Sequence, residues 1–183
     1  METMAEIFKR YSNRTIKYGT DKGSIHSYVE VYEKMFAPYR NDPGNMLEIG
    51  VAGGFSLKLW RDYFPTKHIY GIDKNQRQGV NSEERITICL QDSTKGIPST
   101  MENMKFDIII DDGDHKPQSQ VATFNHYFPL LKEGGVYIIE DTRIDLIKQV
   151  TDNIPHPCEV MDRSEIKGCK IDCLIVVRKP SGG

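Results

Sequence analysis

This sequence of 183 residues lacks the marks of a disulfide-bonded, metal-thiolate or membrane-spanning protein. None of its four cysteines forms a Cys-x-x-Cys pair, so no thiolate zinc site is expected and the cysteines are predicted to be reduced. No apolar run approaches the roughly 18 residues of a membrane span. Residues 1–11 carry charged side chains and no apolar signal core. We therefore predict a cytoplasmic protein with no membrane partner.

A strong charge of either sign is also missing. The formal net charge of −2 at pH 7 gives no electrostatic reason to expect a nucleic acid as partner. The sequence has no internal repeat and no linker-like stretch, and its length suffices for one sizeable core. We predict a single domain over residues 1–183, with an N-terminal helical lid at 1–40 and an α/β core at 41–178. A homo-oligomer is left open.

A short apolar strand followed by a glycine-rich turn organises the predicted core. The stretch reads Met-Leu-Glu-Ile-Gly-Val-Ala-Gly-Gly over residues 46–54, and a helical segment follows as far as Phe64. A strand, a glycine turn and a helix in this order bind nucleotide-like ligands in α/β folds. The spacing here is Glu-x-Gly-x-x-Gly, and the carboxylate of Glu48 would repel a pyrophosphate but suit a cationic ligand. S-adenosylmethionine carries a sulfonium and an ammonium group and no phosphate.

Apolar runs alternate with helical segments through most of the chain, a pattern typical of a parallel sheet covered on both faces. Further strands are predicted at 68–73, 85–90, 106–112 and 136–141, and two more around a turn at 167–168. Helices are predicted at 4–11, at 28–36 with Ser27 as N-cap, and from Pro117 to a stop at 132–135. We predict an α/β fold with a Rossmann-like, doubly wound, mostly parallel sheet and an antiparallel C-terminal strand.

Acidic side chains follow several predicted strands, at the sheet edge where α/β folds bind ligands. Asp73 suits the two hydroxyls of a ribose, with a turn or helix cap as the alternative. Asp92 suits either an adenine amino group or the start of a turn. The residues assigned to cofactor binding are Glu48, Gly50, Gly53, Gly54, Asp73, Asp92 and Asp111.

These features together resemble the class I S-adenosylmethionine-dependent methyltransferases, over about residues 18–142. Two further motifs resemble the macrolide sugar O-methyltransferases: Gly-Thr-Asp-Lys at 19–22 through Tyr28, and Asp-Asp-Gly-Asp-His at 111–115 paired with Ile-Glu-Asp at 139–141. The resemblance implies S-adenosylmethionine and magnesium as cofactors. It implies a hydroxyl of a sugar or glycosylated small molecule as the methyl acceptor. It also implies metal ligands at Asp112, Glu140 and Asp141 and a catalytic base at His115.

The residue types support a metal independently of the resemblance. The fourth and fifth strands should be neighbours about 4.8 Å apart, so carboxylates at their ends would repel and raise one another's pKa. A hard divalent cation removes that cost, and magnesium keeps positions open for water or substrate. The alternative is a turn at 112–113 with Asp114 capping the next helix. His115, on the same loop, could take the proton of a metal-bound hydroxyl or serve as a fourth metal ligand.

Other functions stay open on the sequence alone. Methyl transfer without a metal, to a nitrogen, a carboxylate or a phosphorus-linked oxygen, would use the same cofactor. A nicotinamide-binding domain and a non-catalytic scaffold are the alternatives from other classes. Lys22 and His26 either contact cofactor or substrate or lie in a solvated loop, and the stripe of Tyr28, Tyr32 and Phe36 is predicted to be core.

Overall fold

The computed structural model describes residues 1–12, 19–75 and 80–182. The strands are β1 (Gly44–Ile49), β2 (Lys67–Asp73), β3 (Ile86–Leu90), β4 (Phe106–Asp111), β5 (Leu131–Ile139), β6 (Cys158–Asp162) and β7 (Cys173–Arg178). The helices are α1 (Met4–Tyr11), α2 (Val29–Phe36), α3 (Phe55–Tyr63), α4 (Pro117–Tyr127), α5 (Ile147–Thr151) and α6 (Ser164–Lys167). Tyr18, at which the resemblance to methyltransferases begins, lies outside the described residues.

The described strands form one sheet in the order β3-β2-β1-β4-β5-β7-β6. Strands β1 to β5 pair in parallel, whereas β7 runs antiparallel to both β5 and β6. The predicted mostly parallel sheet with an antiparallel C-terminal part is therefore confirmed. The strand order reverses between β1 and β4, where Ile49 pairs with Asp111. Such a reversal opens a crevice at the carboxyl ends of the strands, where α/β folds bind ligands.

Helices cover both faces of the sheet, as the sequence predicts. Successive side chains of a strand point to opposite faces, so Ile108 and Ile110 of β4 join one core and Ile109 joins the other. The first core contains the inner sides of α1, α2 and α3, with Trp60 among its buried residues. The second contains α4 and α5, including Phe124. Across the described ranges, no helix has both the length and the apolar character needed to cross a membrane.

The structure corrects two local predictions. Helix α4 ends at Tyr127 instead of near the glycine pair at 134–135, and a 3-10 turn at Phe128–Leu130 leads into β5. The ring of Pro129 cannot continue an α-helix, which explains the early end. Ser27 does not cap α2. Its oxygen instead accepts a hydrogen bond from Nε of Arg163 at 2.9 Å, and its hydroxyl donates to Oδ2 of the buried Asp172 at 2.8 Å.

Candidate active site

The glycine turn after β1 packs directly against the loop after β4. Gly50 has a φ of +90°, and a Cβ atom at this position would lie 1.9 Å from the carbonyl oxygen of Asp112. The amide of Asp112 donates to the carbonyl of Ile49 at 2.8 Å, which fixes the approach. Gly54 has a φ of +74° and precedes α3, a conformation that costs glycine little. Gly53 lies between them and lines a cavity of about 250 Å³.

Asp73, at the end of β2, holds the glycine turn in shape. Its Oδ2 atom accepts hydrogen bonds from the amides of Val51 and Ala52, each at 3.1 Å. Its Oδ1 atom accepts from the amide of Asn75 at 2.9 Å. The carboxylate also lines the same cavity. Asp73 therefore joins the turn to the end of β2 at the cavity wall.

Asp92 and Asp111 border a second cavity, of about 320 Å³, which Gly50 also lines. Asp111 is buried, and its Oδ2 atom has no hydrogen-bond partner among the described residues. Burial raises the pKa of this carboxyl group to about 8. Asp92 accepts hydrogen bonds from the amide and hydroxyl of Thr94, so its present contacts are those of a turn. A buried polar atom left unpaired beside a cavity is suited to meet a polar group of a ligand.

Three carboxylates converge on the ammonium group of Lys22. Its Nζ atom lies 2.7 Å from Oε1 of Glu140 and 2.8 Å from Oδ2 of Asp112. It also lies 3.2 Å from Oε1 of Glu48, without hydrogen-bond geometry. Burial opposes the charge on Lys22, but the three carboxylates raise its pKa well above the usual range. The solvated-loop alternative for Lys22 is therefore wrong.

Glu48 is fully buried behind the glycine turn. Its Oε2 atom accepts a hydrogen bond from the hydroxyl of Ser56 at 2.7 Å, and its Oε1 atom faces Lys22. Burial raises the pKa of this carboxyl group. Lys22 therefore supplies a counter-charge for Glu48. The carboxylate of Glu48 is not among the groups that line the cavities around the turn.

Asp141 is held by two side chains from the N-terminal part of the chain. Its Oδ1 atom accepts from the hydroxyl of Tyr28 at 2.8 Å, and its Oδ2 atom lies 3.3 Å from Nε2 of His26. The other ring nitrogen of His26 lies 3.6 Å from Oδ1 of Asp172. Burial, reinforced by repulsion from Asp112, raises the pKa of Asp141 to about 8. His26 is buried, so the solvated-loop alternative is wrong for this residue too.

Four of the acids at the strand ends form two clusters in the described part of the chain, one of which includes His115. The inner cluster consists of Glu48, Asp112 and Glu140, and the outer cluster of Asp112, His115 and Asp141. In each, the members can place one ligand atom within 4.8 Å of the others. Asp112 belongs to both clusters, so the structure places it near both Glu140 and Asp141, and Lys22 contacts Asp112 and Glu140.

The outer cluster fits a divalent cation. All three of its members line the cavity of about 250 Å³ beside the glycine turn. Two carboxylates and an imidazole are donors that magnesium, manganese and related ions accept. Burial and, to a lesser extent, repulsion from Asp112 raise the pKa of Asp141. A cation bound there would relieve that repulsion.

Three residues along this cavity hold strained backbone conformations. Ala52, His115 and Asp141 are not glycines, yet their φ angles are +45°, +58° and +55°. Each such residue costs about 1–3 kcal/mol and persists where the surrounding structure holds it. Strain of this kind concentrates at ligand sites, because it fixes side-chain directions that relaxed backbone would not give.

The sequence reasoning missed several residues that support the acids. Tyr28 and Tyr32 are core residues as predicted, but their hydroxyls donate to Asp141 and Glu140. Their spacing of four residues on one apolar face, with a hydroxyl on each ring, was the available signal in the sequence. Nothing in the sequence pattern singles out Asp172. It lies immediately before β7 and is close to His26 only in the folded chain.

Known proteins match this chain in sequence and in fold. A family model described as a methyltransferase domain matches residues 47–142. A rhamnosyl-tetracenomycin-C 2'-O-methyltransferase of Streptomyces olivaceus is 35% identical over 69% of this chain and 36% of its own length. Demethylmacrocin O-methyltransferase of Streptomyces fradiae is 31% identical over 78% of this chain and 44% of its own. This chain thus spans less than half the length of both relatives.

A solved structure of the mycinamycin-pathway methyltransferase MycE, in complex with Mg, SAH and mycinamycin VI, matches with a TM-score of 0.72 and 27% identity. The match covers all of this chain and 56% of the solved one. The fold, the matched family model and the sugar O-methyltransferase relatives all agree with the resemblance found in the sequence. This chain therefore belongs to the methyltransferase domain family.

Proposed function

We propose that this protein is an S-adenosylmethionine-dependent O-methyltransferase that uses magnesium or a similar divalent cation. Its acceptor would be a hydroxyl of a sugar or of a glycosylated small molecule, either a natural product or a surface polysaccharide. The observation that carries the proposal is the outer cluster: Asp112, His115 and Asp141 lie together beside the glycine turn. By its name, the Streptomyces olivaceus relative is a 2'-O-methyltransferase of a rhamnosyl compound, and the MycE complex holds Mg and SAH.

The cofactor would lie along the glycine turn, between the two cavities that share Gly50. The unpaired Oδ2 atom of Asp111 and the carboxylates of Asp73 and Asp92 would meet its polar groups. Gly53 and Gly54 would let the backbone pass close to it. For Glu48 we propose a supporting role from behind the turn, since Ser56 donates to its Oε2 atom and Lys22 forms an ion pair with its Oε1 atom at 3.2 Å.

The metal would be held by Asp112, Glu140 and Asp141, of which Glu140 also binds Lys22. A bound divalent cation lowers the pKa of a hydroxyl that coordinates it. His115 would accept the proton of the acceptor hydroxyl as that oxygen bonds to the methyl carbon and the bond from this carbon to the sulfur of S-adenosylmethionine breaks, which releases S-adenosylhomocysteine. His115 belongs to the same cluster as Asp112 and Asp141, so a role as a further metal ligand is the rival assignment. Most of the rate gain would come from holding acceptor and methyl donor in line.

The proposal also assigns a role to the N-terminal part of the chain. Residues 1–40 would act as a lid over the core at 41–178, because Lys22 and His26 reach the acids from this part of the chain. A homo-oligomer stays open, no nucleic acid or membrane is proposed as partner, and a cytoplasmic location stays a prediction of the sequence.

The test is an assay of methyl transfer from labelled S-adenosylmethionine to a panel of rhamnosides and other deoxysugar glycosides, with and without a chelator. Label on the sugar that disappears with chelator would support the proposal. Turnover that persists in chelator would favour the metal-independent alternative, with a nitrogen, carboxylate or phosphorus-linked acceptor. Binding of neither S-adenosylmethionine nor S-adenosylhomocysteine would overturn the proposal, and binding of a nicotinamide cofactor instead would favour the other class.

A further inference from the structure

Four carboxylates line the cavity of about 250 Å³ beside the glycine turn, and its described lining includes no lysine or arginine. Three of the four already have a role in the proposed site. Asp73 is assigned to the cofactor, and Asp112 and Asp141 are assigned to the metal. The fourth is Asp21, from the Gly-Thr-Asp-Lys motif in the N-terminal part of the chain. Its role is still to be assigned.

The carboxylate of Asp21 differs from the other three in its partners. The other three each accept hydrogen bonds from the protein, one from the amides of the glycine turn, one from Lys22 and one from Tyr28. Within the part of the chain that the structure describes, no donor or cation contacts the half-buried carboxylate of Asp21. A carboxylate in this position is available to a cationic group of a ligand.

The backbone around Asp21 is fixed by its neighbours. Its carbonyl accepts hydrogen bonds from the amides of Ser24, Ile25 and His26, at 3.1, 3.0 and 3.0 Å. The next residue, Lys22, is buried and forms ion pairs with acids that end or follow three strands of the sheet. Asp21 is therefore held in place before a ligand arrives, and binding costs little ordering of the loop.

The charge of Asp21 also acts inside the site. Burial lowers the pKa of His26, and Asp21 opposes this effect more strongly than any other charged group. Burial and repulsion from Asp112 raise the pKa of Asp141, and Asp21 adds to that rise. Because such interactions weaken with distance, the carboxylate of Asp21 lies close to the acids of the outer cluster.

S-adenosylmethionine has two positively charged groups, its sulfonium and the α-ammonium group of its methionyl part. The sulfonium carries the methyl group, so it must lie beside the acceptor oxygen. The ammonium lies at the far end of the methionyl chain and needs an acceptor of its own. Glu48 suits a cation by its place in the sequence, but it pairs with Lys22 and lines none of the cavities around the turn. A hydrogen bond from an ammonium to a carboxylate is about twice as strong as a neutral one.

We propose that Asp21 binds the α-ammonium group of S-adenosylmethionine and so ties the methionyl end of the cofactor to the N-terminal part of the chain. This inference rests on the proposed function, since it requires S-adenosylmethionine as the cofactor. It gives Asp21 the part of counter-charge to a cationic ligand that the sequence suggested for Glu48. S-adenosylhomocysteine keeps the same ammonium group, so its binding reports on the contact without turnover.

The experiment is isothermal titration calorimetry of the full chain with two ligands, S-adenosylhomocysteine and an analogue that lacks only its amino group. Asp21→Asn should weaken the binding of S-adenosylhomocysteine by about 10-fold, the effect of losing a hydrogen bond between charged groups. The wild type should bind the analogue about 10-fold more weakly than S-adenosylhomocysteine, for the same reason. Because both changes remove the same contact, Asp21→Asn and the wild type should bind the analogue equally well.

Asp152→Asn is the matched control. Asp152 carries the same charge, but it is exposed at the end of α5 and lines none of the cavities around the turn. Its loss should leave the dissociation constants of both ligands unchanged, which separates a direct contact from an effect of net charge. If Asp21→Asn does not fold, Asp21→Ser allows the same comparison, because serine is common in turns.

Equal affinity of the wild type for the two ligands would overturn the inference, as would a further loss of affinity for the analogue in Asp21→Asn. A variant that binds S-adenosylhomocysteine like the wild type, but needs more acceptor for half-maximal turnover, would also overturn it and would place Asp21 at the acceptor. These results would leave the proposed function standing, provided that the wild type binds S-adenosylhomocysteine. A wild type that binds neither ligand would instead remove the proposed function itself.

Discussion

Gly50 and Asp112 touch at a point where only a hydrogen atom fits between them: a Cβ atom on Gly50 would lie 1.9 Å from the carbonyl oxygen of Asp112. The first residue belongs to the glycine turn and the second to the acidic loop after β4. This contact joins the proposed cofactor site to the proposed metal site. A change that pushes Gly50 and Asp112 apart should therefore disturb both sites.

Gly50→Ala should lower the free energy of unfolding by more than about 3 kcal/mol, combining the strain of a positive φ with a backbone clash. Gly168→Ala is the control, because Gly168 also has a positive φ but nothing lies within 4 Å of its added Cβ atom. That variant should lose only about 1–2 kcal/mol. Urea denaturation measures both, and equal losses in the two variants would show that the contact with Asp112 does not matter.

Asp73→Ala should weaken the binding of S-adenosylhomocysteine by about 1–3 kcal/mol, because polar partners in the cofactor and the turn are left unpaired. Isothermal titration calorimetry measures the change. Asp162→Ala is the matched control, since Asp162 also accepts a backbone amide, that of Ser164 at 2.9 Å, and is not among the residues that line the cofactor cavities. An unchanged dissociation constant in Asp73→Ala would contradict the assignment of this carboxylate to the cofactor.

Chelation should abolish turnover while the binding of S-adenosylhomocysteine largely persists, because the metal and cofactor contacts involve different side chains. Asp141→Asn should raise the metal concentration for half-maximal turnover by at least about 10-fold, the size found even for residues behind metal ligands. The control is Asp145→Asn, since Asp145 pairs with Arg143 at the surface. A metal dependence that is the same in both variants would rule out Asp141 as a ligand.

His115→Ala should lower the turnover number by roughly 10²–10⁴-fold, the usual contribution of general base catalysis. Affinity for cofactor and metal should change little if the residue removes a proton. His126→Ala, in the last turn of α4, provides the control. Recovery of His115→Ala to near wild-type turnover at excess magnesium would identify His115 as a metal ligand instead of the base.

The amino-acid sequence by itself determined the parts of this protein that local chemistry encodes. Apolar runs alternating with helical segments specified the parallel sheet, because such strands must be buried on both faces. The spacing from Glu48 to Gly54 marked the turn after β1, and acids at the strand ends marked the edge where a ligand would bind. These features lie within short stretches of chain, so their pattern is visible without a structure.

Only the tertiary structure decided how the acids are shared. Lys22 lies 90 residues before Asp112 and 118 before Glu140, and its burial among them follows from how the N-terminal loop packs on the sheet. A lysine in a polar loop reads as solvent-exposed, because its ordinary preference is for water. Here the three carboxylates offset the cost of its burial. The sequence could name the acids, but only packing over long separations could divide them between an internal ammonium group and an open cluster at the cavity.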